Sequence, residues 1–256
     1  MPTPGPDEDF QLGAASLASR LGLRLDPGGS GLLNLTSDLE GFGSVRRYSE
    51  KSCRGRDLEV ELIAIELMIP IMGLFVERLY GFSPPSSSVP HLVAETRPTE
   101  QRRITMLSLD LLPRVDLAVN PAYVEMVYGP LDSELDASAE RVTTEGDDIF
   151  APLLKTPRRR RVLASPWATA VVLGNGLLEM HEKALLRAYM NRWETLLDAG
   201  DEGPDGLDLC SPSRVARDRL LREGLADERQ DRFWVDLRSL CGDAQTSAAQ
   251  AFVRGD

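Results

Sequence analysis

The chain has 256 residues, of which 42% are hydrophobic, so its length and composition suit a globular fold with a sizeable core. A formal net charge of -11, from 29 basic and 40 acidic residues, argues against a general nucleic-acid binder, because phosphate contacts need a positive surface. The three cysteines show no C-x-x-C spacing and the two histidines lie far apart, so neither a disulfide framework nor a metal site is expected.

The N-terminal residues are predicted to form a tail rather than a targeting segment. Residues 1–9 hold three prolines and three acidic residues, unlike a secretory signal or a transit peptide. A plastid precursor would therefore have lost its transit peptide from this sequence. The most apolar run, 62–76, contains Glu66 and is too short to span a bilayer comfortably, so we expect it to be buried within the protein.

The first half of the chain predicts one short helix followed by strands. Helical spacing of apolar residues covers 10–25, and a glycine-rich break follows that lacks the Lys-Ser/Thr pair of a phosphate loop. Strict alternation at 58–62 predicts a half-buried strand, and the apolar sequence that continues it contains a proline and a glycine that mark a bend. Residues 91–96 and 104–112 predict two strands joined by a polar turn.

The second half is predicted to be mainly helical. The predicted helices cover residues 121–128, 133–142, 177–199, 213–223 and 244–253. Shorter apolar segments predict strands at 162–164, 168–173 and 233–237. Gly200 ends the longest helix, and Ser213 is the predicted N-cap of the next one. Early strands followed by late helices favour an α+β fold, an antiparallel sheet covered by helices, as one domain over residues 1–256.

Four segments carry a resemblance to a known family. The sequence D-L-L-P-R-V-D-L at 110–117, with N-P-A-Y at 120–123, is similar without a gap to the pattern D-L-P-P-R-K-D-L-x-x-H-P-x-Y of red chlorophyll catabolite reductases. Leu112, Val115 and Asn120 depart from that pattern.

The other three segments follow the family order. Pro90-His91 with Glu95 resembles its strand that ends in an acidic residue, and Ser165-Pro166 resembles its S-P-T-A entry, although Trp167 intrudes. The sequence R-F-W-V-D-L at 232–237 resembles its late strand K-x-I-E-I-D-L. The resemblance covers roughly residues 90–253.

The resemblance implies a fold and an activity. This family belongs to the ferredoxin-dependent bilin reductase group, so the implied fold is a three-layer α/β/α sandwich with a central antiparallel sheet. The implied reaction is reduction of red chlorophyll catabolite, an open-chain tetrapyrrole, to primary fluorescent catabolite in chlorophyll breakdown. Electrons would come one at a time from reduced ferredoxin, with no bound flavin, nicotinamide or metal. A homodimer is also expected, in the chloroplast stroma of a plant or alga and otherwise in the cytoplasm.

The resemblance assigns catalytic and substrate-binding residues. Glu95 and Asp236 match the two family carboxylates near the substrate, and apolar surroundings that raise a carboxyl pKa would let either donate a proton. The alternative is that both are surface carboxylates on alternating strands. His91, Ala164 and Ser165 are the expected substrate-binding residues; for His91, a structural role is the alternative.

A basic tract is the expected ferredoxin dock. Because ferredoxins are acidic, this role falls to the only dense basic run, which consists of Arg158, Arg159, Arg160 and Arg161. A solvated charge run or a dimer-contact loop are the alternatives. Asp110 and Asp116 flank Pro113-Arg114 and are expected only to fix that turn.

Two other functions remain open on the sequence. One is a related bilin reductase, or a protein that binds tetrapyrroles without reducing them. The other is an interaction module that holds an acidic protein through the arginine tract. A pocket that holds both Glu95 and Asp236 would favour a tetrapyrrole protein, and placement of the two carboxylates on opposite surfaces would favour the interaction module.

Overall fold

The computed structural model describes residues 12–27, 31–51, 53, 58–98, 105–145, 163–173, 180–200 and 211–256. Its strands are β1 (Arg24–Leu25), β2 (Leu32–Ser37), β3 (Gly41–Glu50), β4 (Val60–Ile69), β5 (Leu74–Phe82), β6 (His91–Pro98), β7 (Thr105–Leu112) and β8 (Thr169–Leu173). Its helices are α1 (Ala14–Leu21), α2 (Pro121–Glu145), α3 (Met180–Ala199), α4 (Pro212–Leu225), α5 (Arg232–Cys241) and α6 (Asp243–Arg254).

The eight strands form one antiparallel sheet. Strands β3 to β7 follow one another in space as they do in sequence, β8 pairs with β7 after α2, and β1 and β2 both pair with β3. Such a meander needs only short connections, because antiparallel neighbours can be joined by tight turns. The predicted antiparallel sheet and the α+β class are confirmed.

Alternating side chains divide the core between the two faces of the sheet. On β6, Leu92 and Ala94 belong to a core that also contains residues of α1, α2 and α3. Val93, between them, belongs to a second core built with residues of α4, α5 and α6. Successive residues of a strand point to opposite faces, so the sheet lies between two helical layers, as the three-layer expectation required.

Several predicted elements match the structure closely. The paired strands β6 and β7 and the long helix α3 lie where the sequence predicted them. The bend predicted in the apolar run is the short 3-10 helix Pro70–Met72 between β4 and β5. On either side of this bend the run is sheet. Within the described residues, no helix is long and apolar enough to cross a membrane.

The predicted strand at 233–237 was wrong, because this segment lies within α5. The buried residues of α5 are Phe233, Trp234, Leu237 and Cys241, a helical spacing that five residues of sequence do not reveal. Asp231 starts the helix, since its side chain accepts a hydrogen bond from the backbone N–H of Phe233.

Other boundaries also differ from prediction. Strands β2 and β3 were missed, and the two helices predicted between residues 121 and 142 are one helix that contains Pro130. Leu163 and Ala164 lie in a turn rather than in a strand. The helix predicted to start at Ser213 starts instead at Pro212, a residue that suits the first helical turn because it has no N–H to leave unbonded.

Candidate functional site

The strand register gathers polar side chains on the side of β5, β6 and β7 that lies under α4, α5 and α6. Arg78 of β5 is directly opposite Glu95 of β6, which in turn is opposite Ser108 of β7. Directly opposed residues share a face of the sheet, so these three side chains lie side by side. We call this surface the site face, and its polar members are Arg78, Tyr80, His91, Glu95, Ser108 and Asp110.

Glu95 is fully buried and bound by two donors. Its Oε1 accepts a hydrogen bond of 2.9 Å from the Tyr80 hydroxyl and one of 3.1 Å from Nη1 of Arg78. The same Nη1 also bonds Asp231 at the start of α5, and the guanidinium carbon lies 3.8 Å from the centre of the Phe233 ring. Glu95 is thus held between the sheet and the first turn of α5.

Two carboxylates of this cluster contact one guanidinium. Burial acts to lower the pKa of Arg78, but the carboxylates of Asp231 and Glu95 outweigh it and raise the net pKa, so the guanidinium stays charged. When both carboxylates are ionised, these three residues have one negative charge in excess. Binding of one proton makes the group neutral, which lowers the cost of keeping it buried.

A second buried cluster lies at the start of β6. Nε2 of His91 is 2.7 Å from Oδ1 of Asp218 on α4, and Nη2 of Arg114 is 2.8 Å from the same oxygen. Burial acts to raise the pKa of Asp218, but the hydrogen bond from His91 and the guanidinium groups of Arg114 and Arg222 more than offset it, and the net pKa is lowered. Asp218 is therefore an ionised acceptor near neutral pH.

His91 is neutral in this cluster. Burial, followed by the charge of Arg114, lowers the pKa of His91 from 6.5 to about 4. Because Asp218 only accepts, Nε2 of the neutral imidazole carries the proton and Nδ1 carries a free lone pair. That Nδ1 is buried and has no hydrogen-bond partner among the described residues. His91 can thus accept a hydrogen bond from a bound molecule.

The backbone N–H and the hydroxyl of Ser165 are both bound by Asp110. The Asp110 carboxylate accepts hydrogen bonds from the Ser165 backbone N–H, at 3.0 Å, and from its hydroxyl. Asp110 was expected only to fix the turn at 113–114, whereas in the structure it holds the turn at Ser165 against the site face. Ala164, which precedes Ser165, is half-buried. Asp116 has the expected local role, because its side chain accepts a hydrogen bond from the Ala118 N–H.

Asp236 does not reach the site face. It lies on the outer side of α5, its side chain is 54% exposed, and it pairs with Arg232 one turn earlier at 3.4 Å. The structure therefore does not bring the two predicted carboxylates together. Asp231, five residues earlier, is the α5 carboxylate that shares Arg78 with Glu95.

Three charged residues that form these clusters were missed in the sequence. Arg78 is a charged residue within an otherwise mostly apolar strand, and Asp231 directly precedes an amphipathic helix, where an N-cap is expected. Asp218 stands three residues before Leu221 and seven before Leu225, on the buried side of α4. The sequence around each of these residues could have marked it as unusual, but it could not have shown which residues the side chain contacts.

The remaining predictions concern docking and metal binding. The tract Arg158 to Arg161 lies outside the described residues. Over the described part of the chain, no group of three or more His, Cys, Asp and Glu side chains is placed to hold a metal ion.

Comparison with known proteins shows the fold. No protein-family model matches the chain, and no curated protein sequence matches it significantly. Among solved structures, it is similar to phytochromobilin synthase from tomato in complex with biliverdin, with a TM-score of 0.62 and 17% sequence identity. The likeness covers 94% of this chain and 79% of that one. It agrees with the bilin-reductase resemblance of residues 90–253, and the chain has the fold of phytochromobilin synthase.

Proposed function

We propose that this protein reduces an open-chain tetrapyrrole with electrons from ferredoxin, and that its substrate is red chlorophyll catabolite. Two electrons from two reduced ferredoxins and two protons add across a conjugated double bond of the substrate, and each ferredoxin leaves oxidised. In a plant or alga the reaction is expected in the chloroplast stroma. The observation that carries the proposal is the fully buried Glu95 on the site face of a fold like that of a biliverdin-binding protein.

Two kinds of similarity support the substrate class. Biliverdin, present in the tomato structure, is itself a linear tetrapyrrole. The segments around His91, Asp110 and Ser165 that resemble red chlorophyll catabolite reductases also come together on the site face or beside it. The sequence resemblance favours red chlorophyll catabolite over biliverdin as the proposed substrate.

Glu95 and Asp231 are the proposed proton-handling pair. Both carboxylates contact the guanidinium of Arg78. When one of the two carboxylates holds a proton, the charges of these three residues sum to zero. A substrate on the site face would receive that proton as it accepts electrons. Asp231 takes the place that the sequence resemblance assigned to Asp236, because Asp236 points away from the sheet.

His91 is proposed to orient the substrate rather than to protonate it. A neutral imidazole whose Nε2–H is bound by Asp218 offers Nδ1 as an acceptor, and a pyrrole or lactam N–H of a tetrapyrrole is the matching donor. The carboxylate partner is Asp218, and the tautomer favours a nitrogen over an oxygen on the other side.

An anaerobic assay tests the proposal. Purified protein is incubated with red chlorophyll catabolite, ferredoxin and a ferredoxin-reducing system, and the appearance of a fluorescent product is followed. A fluorescent product that requires ferredoxin supports the proposal. Turnover of biliverdin alone would move the assignment to a related bilin reductase, and binding without turnover to a non-catalytic tetrapyrrole protein. A stoichiometric flavin in the visible spectrum would contradict the proposed electron path.

A further inference from the structure

The side of α4 that faces the sheet carries a row of charged residues. Arg214, Asp218 and Arg222 follow one another at intervals of four, so they lie on the same side of the helix. Asp218 contacts His91 on the site face, and Nη1 of Arg222 is 2.6 Å from Oε2 of Glu61 on β4. Two members of the row thus contact the sheet, and Arg214 precedes them by one turn.

Arg214 differs from the other two members because its guanidinium has donor capacity to spare. Its Nη1 is shielded from solvent and has no hydrogen-bond partner among the residues that the structure describes. A buried donor without a partner loses its hydration uncompensated, and the cost is larger when the group is charged. Asp218, the nearest acidic residue along the row, already contacts His91 and Arg114. A bound acceptor could therefore use the free donor of Arg214.

The surroundings of Arg214 hold more positive than negative charge. Burial lowers the pKa of Arg114; Asp218 opposes this change, whereas the charges of Arg222 and Arg214 lower the pKa further. Arg222 and Arg214 therefore both lie close enough to repel Arg114. Asp218 and Glu61 are the carboxylates that contact this group. Three guanidinium groups beside two carboxylates leave at least one positive charge in excess.

The start of α4 adds to the positive potential at Arg214. This residue is in the first turn of the helix, and that turn contains no acidic residue. The N-terminal end of a helix carries partial positive charge, so a cation is disfavoured there and an anion is favoured. A negative group bound to Arg214 would satisfy the guanidinium and the helix end together.

The position of Arg214 relative to His91 indicates which anion fits. Arg214 and Asp218 are one helical turn apart, a rise of about 6 Å, and Asp218 is 2.7 Å from Nε2 of His91. A pyrrole ring bonded to Nδ1 of His91 would therefore place a short acidic side chain within reach of the long, half-buried Arg214 side chain. Red chlorophyll catabolite has such a side chain, a propionate. A guanidinium group can bind a carboxylate through two parallel hydrogen bonds.

We propose that Arg214 binds the propionate carboxylate of the tetrapyrrole, and that this contact lets the protein distinguish the free acid from its ester. The inference rests on the proposed function, because it adds a contact to the same substrate. Arg214 takes no part in the transfer of electrons or protons. It acts on the affinity and the orientation of the substrate, and so determines which tetrapyrroles the protein accepts.

A double-mutant cycle tests the contact between Arg214 and the carboxylate. The ligands are red chlorophyll catabolite and its propionate methyl ester, and each Kd is measured by absorbance titration with the wild type and with Arg214→Gln. We expect the wild type to bind the acid about 10- to 100-fold more tightly than the ester, the usual effect of a hydrogen bond to a charged group. In Arg214→Gln this preference should largely disappear, because acid binding weakens while ester binding changes little.

Two control variants separate the contact from a general effect of charge. Arg219→Gln removes the same charge from α4 at a position where 77% of the side chain is accessible, and it should keep the wild-type preference. Arg214→Lys keeps the charge but loses the two-pronged geometry, so its preference should be intermediate. Arg214→Gln should unfold in urea at the wild-type midpoint when no ligand is present. A lower midpoint would show that Arg214 already has a partner within the chain, which contradicts the proposal.

The outcomes keep this contact apart from the proposed function. If Arg214→Gln weakens the binding of acid and ester by the same factor, or of neither, Arg214 does not bind the carboxylate and the proposed function still stands. The same conclusion follows if the wild type binds the acid and the ester equally well. If the wild type binds neither tetrapyrrole, the proposed function is wrong, and the role of Arg214 is wrong with it.

Discussion

Arg78 on β5 and Glu95 on β6 are directly opposite each other in the sheet, and their side chains form a buried ion pair with Nη1 3.1 Å from Oε1. A slip of either strand by one residue would turn its own charged side chain to the opposite face, into an apolar core and away from its partner. The ion pair and the strand register therefore depend on each other. The same register places Ser108 and Asp110 beside Glu95.

Removal of the ionisable proton of Glu95 should stop turnover. Glu95→Gln keeps the size of the side chain and can still accept a hydrogen bond from Tyr80, but it cannot donate an acidic proton. We expect turnover to fall by about 100-fold or more, with a much smaller change in tetrapyrrole affinity. Asp236→Asn is the matched control, and because Asp236 is exposed on α5 we expect near-normal turnover. Equal activity of both folded variants would contradict proton delivery by Glu95.

Loss of the shared guanidinium should destabilise the protein. Arg78→Met fills similar space but leaves the carboxylates of Glu95 and Asp231 without the cation that both contact. Breaking a buried ion pair from one side costs about 3–5 kcal/mol in the free energy of unfolding, measured by urea denaturation at pH 7.5. Arg232→Met, at an exposed position of α5, is the control and should leave the midpoint unchanged.

His91 should stay neutral throughout the physiological range. Burial lowers its pKa to about 4 in the folded protein, below the usual value of 6.5, so the unfolded chain binds the proton more tightly. Stability is fully present above pH 6.5 and is lost as the pH falls toward 4. Between pH 7.5 and pH 5 this linkage contributes a loss of about 2 kcal/mol.

Two measurements check the titration of His91. With His181→Gln as background, a single histidine remains, and its NMR chemical shifts should not titrate between pH 5.5 and 8. In urea denaturation, His91→Gln should lose stability less steeply than the wild type between pH 7.5 and 5. A His91 signal that titrates near pH 6.5 in the folded protein would show that the imidazole is not desolvated as the structure implies.

Two glycines should differ in their response to alanine. A Cβ at Gly81 would lie 2.6 Å from the ring of Trp193, which is held by a 2.9 Å hydrogen bond to the Pro90 carbonyl. Gly81→Ala should therefore cost about 1–3 kcal/mol of unfolding free energy. A Cβ at Gly129 in α2 would meet only the carboxylate of Glu125, which can rotate away. Gly129→Ala should be close to neutral, because the gain of up to about 1 kcal/mol from helix propensity is opposed by crowding between the new Cβ and the ring of Pro130.

Local pattern in the sequence was enough to predict much of the framework. The segment 104–112 predicted strand β7, in which the alternating residues Leu107, Leu109 and Leu111 share one core. The helical spacing of 177–199 and the proline and glycine at 70 and 73 predicted α3 and the bend between β4 and β5. These features depend on residues close in the chain, whose period fixes which side is buried.

Only the tertiary structure decided which charged residues meet. R-F-W-V-D-L at 232–237 suits a strand or a helix, because both bury a similar subset of so short a segment. Folding as a helix capped by Asp231 turns Asp236 to solvent and brings Asp231 to Arg78. The contacts of Glu95 with Arg78, and of His91 with Asp218, join residues 17 and 127 positions apart, which strand register and helix docking bring together. The sequence by itself thus determined the periodic elements and singled out Glu95 and His91, whereas packing determined their partners and so their chemistry.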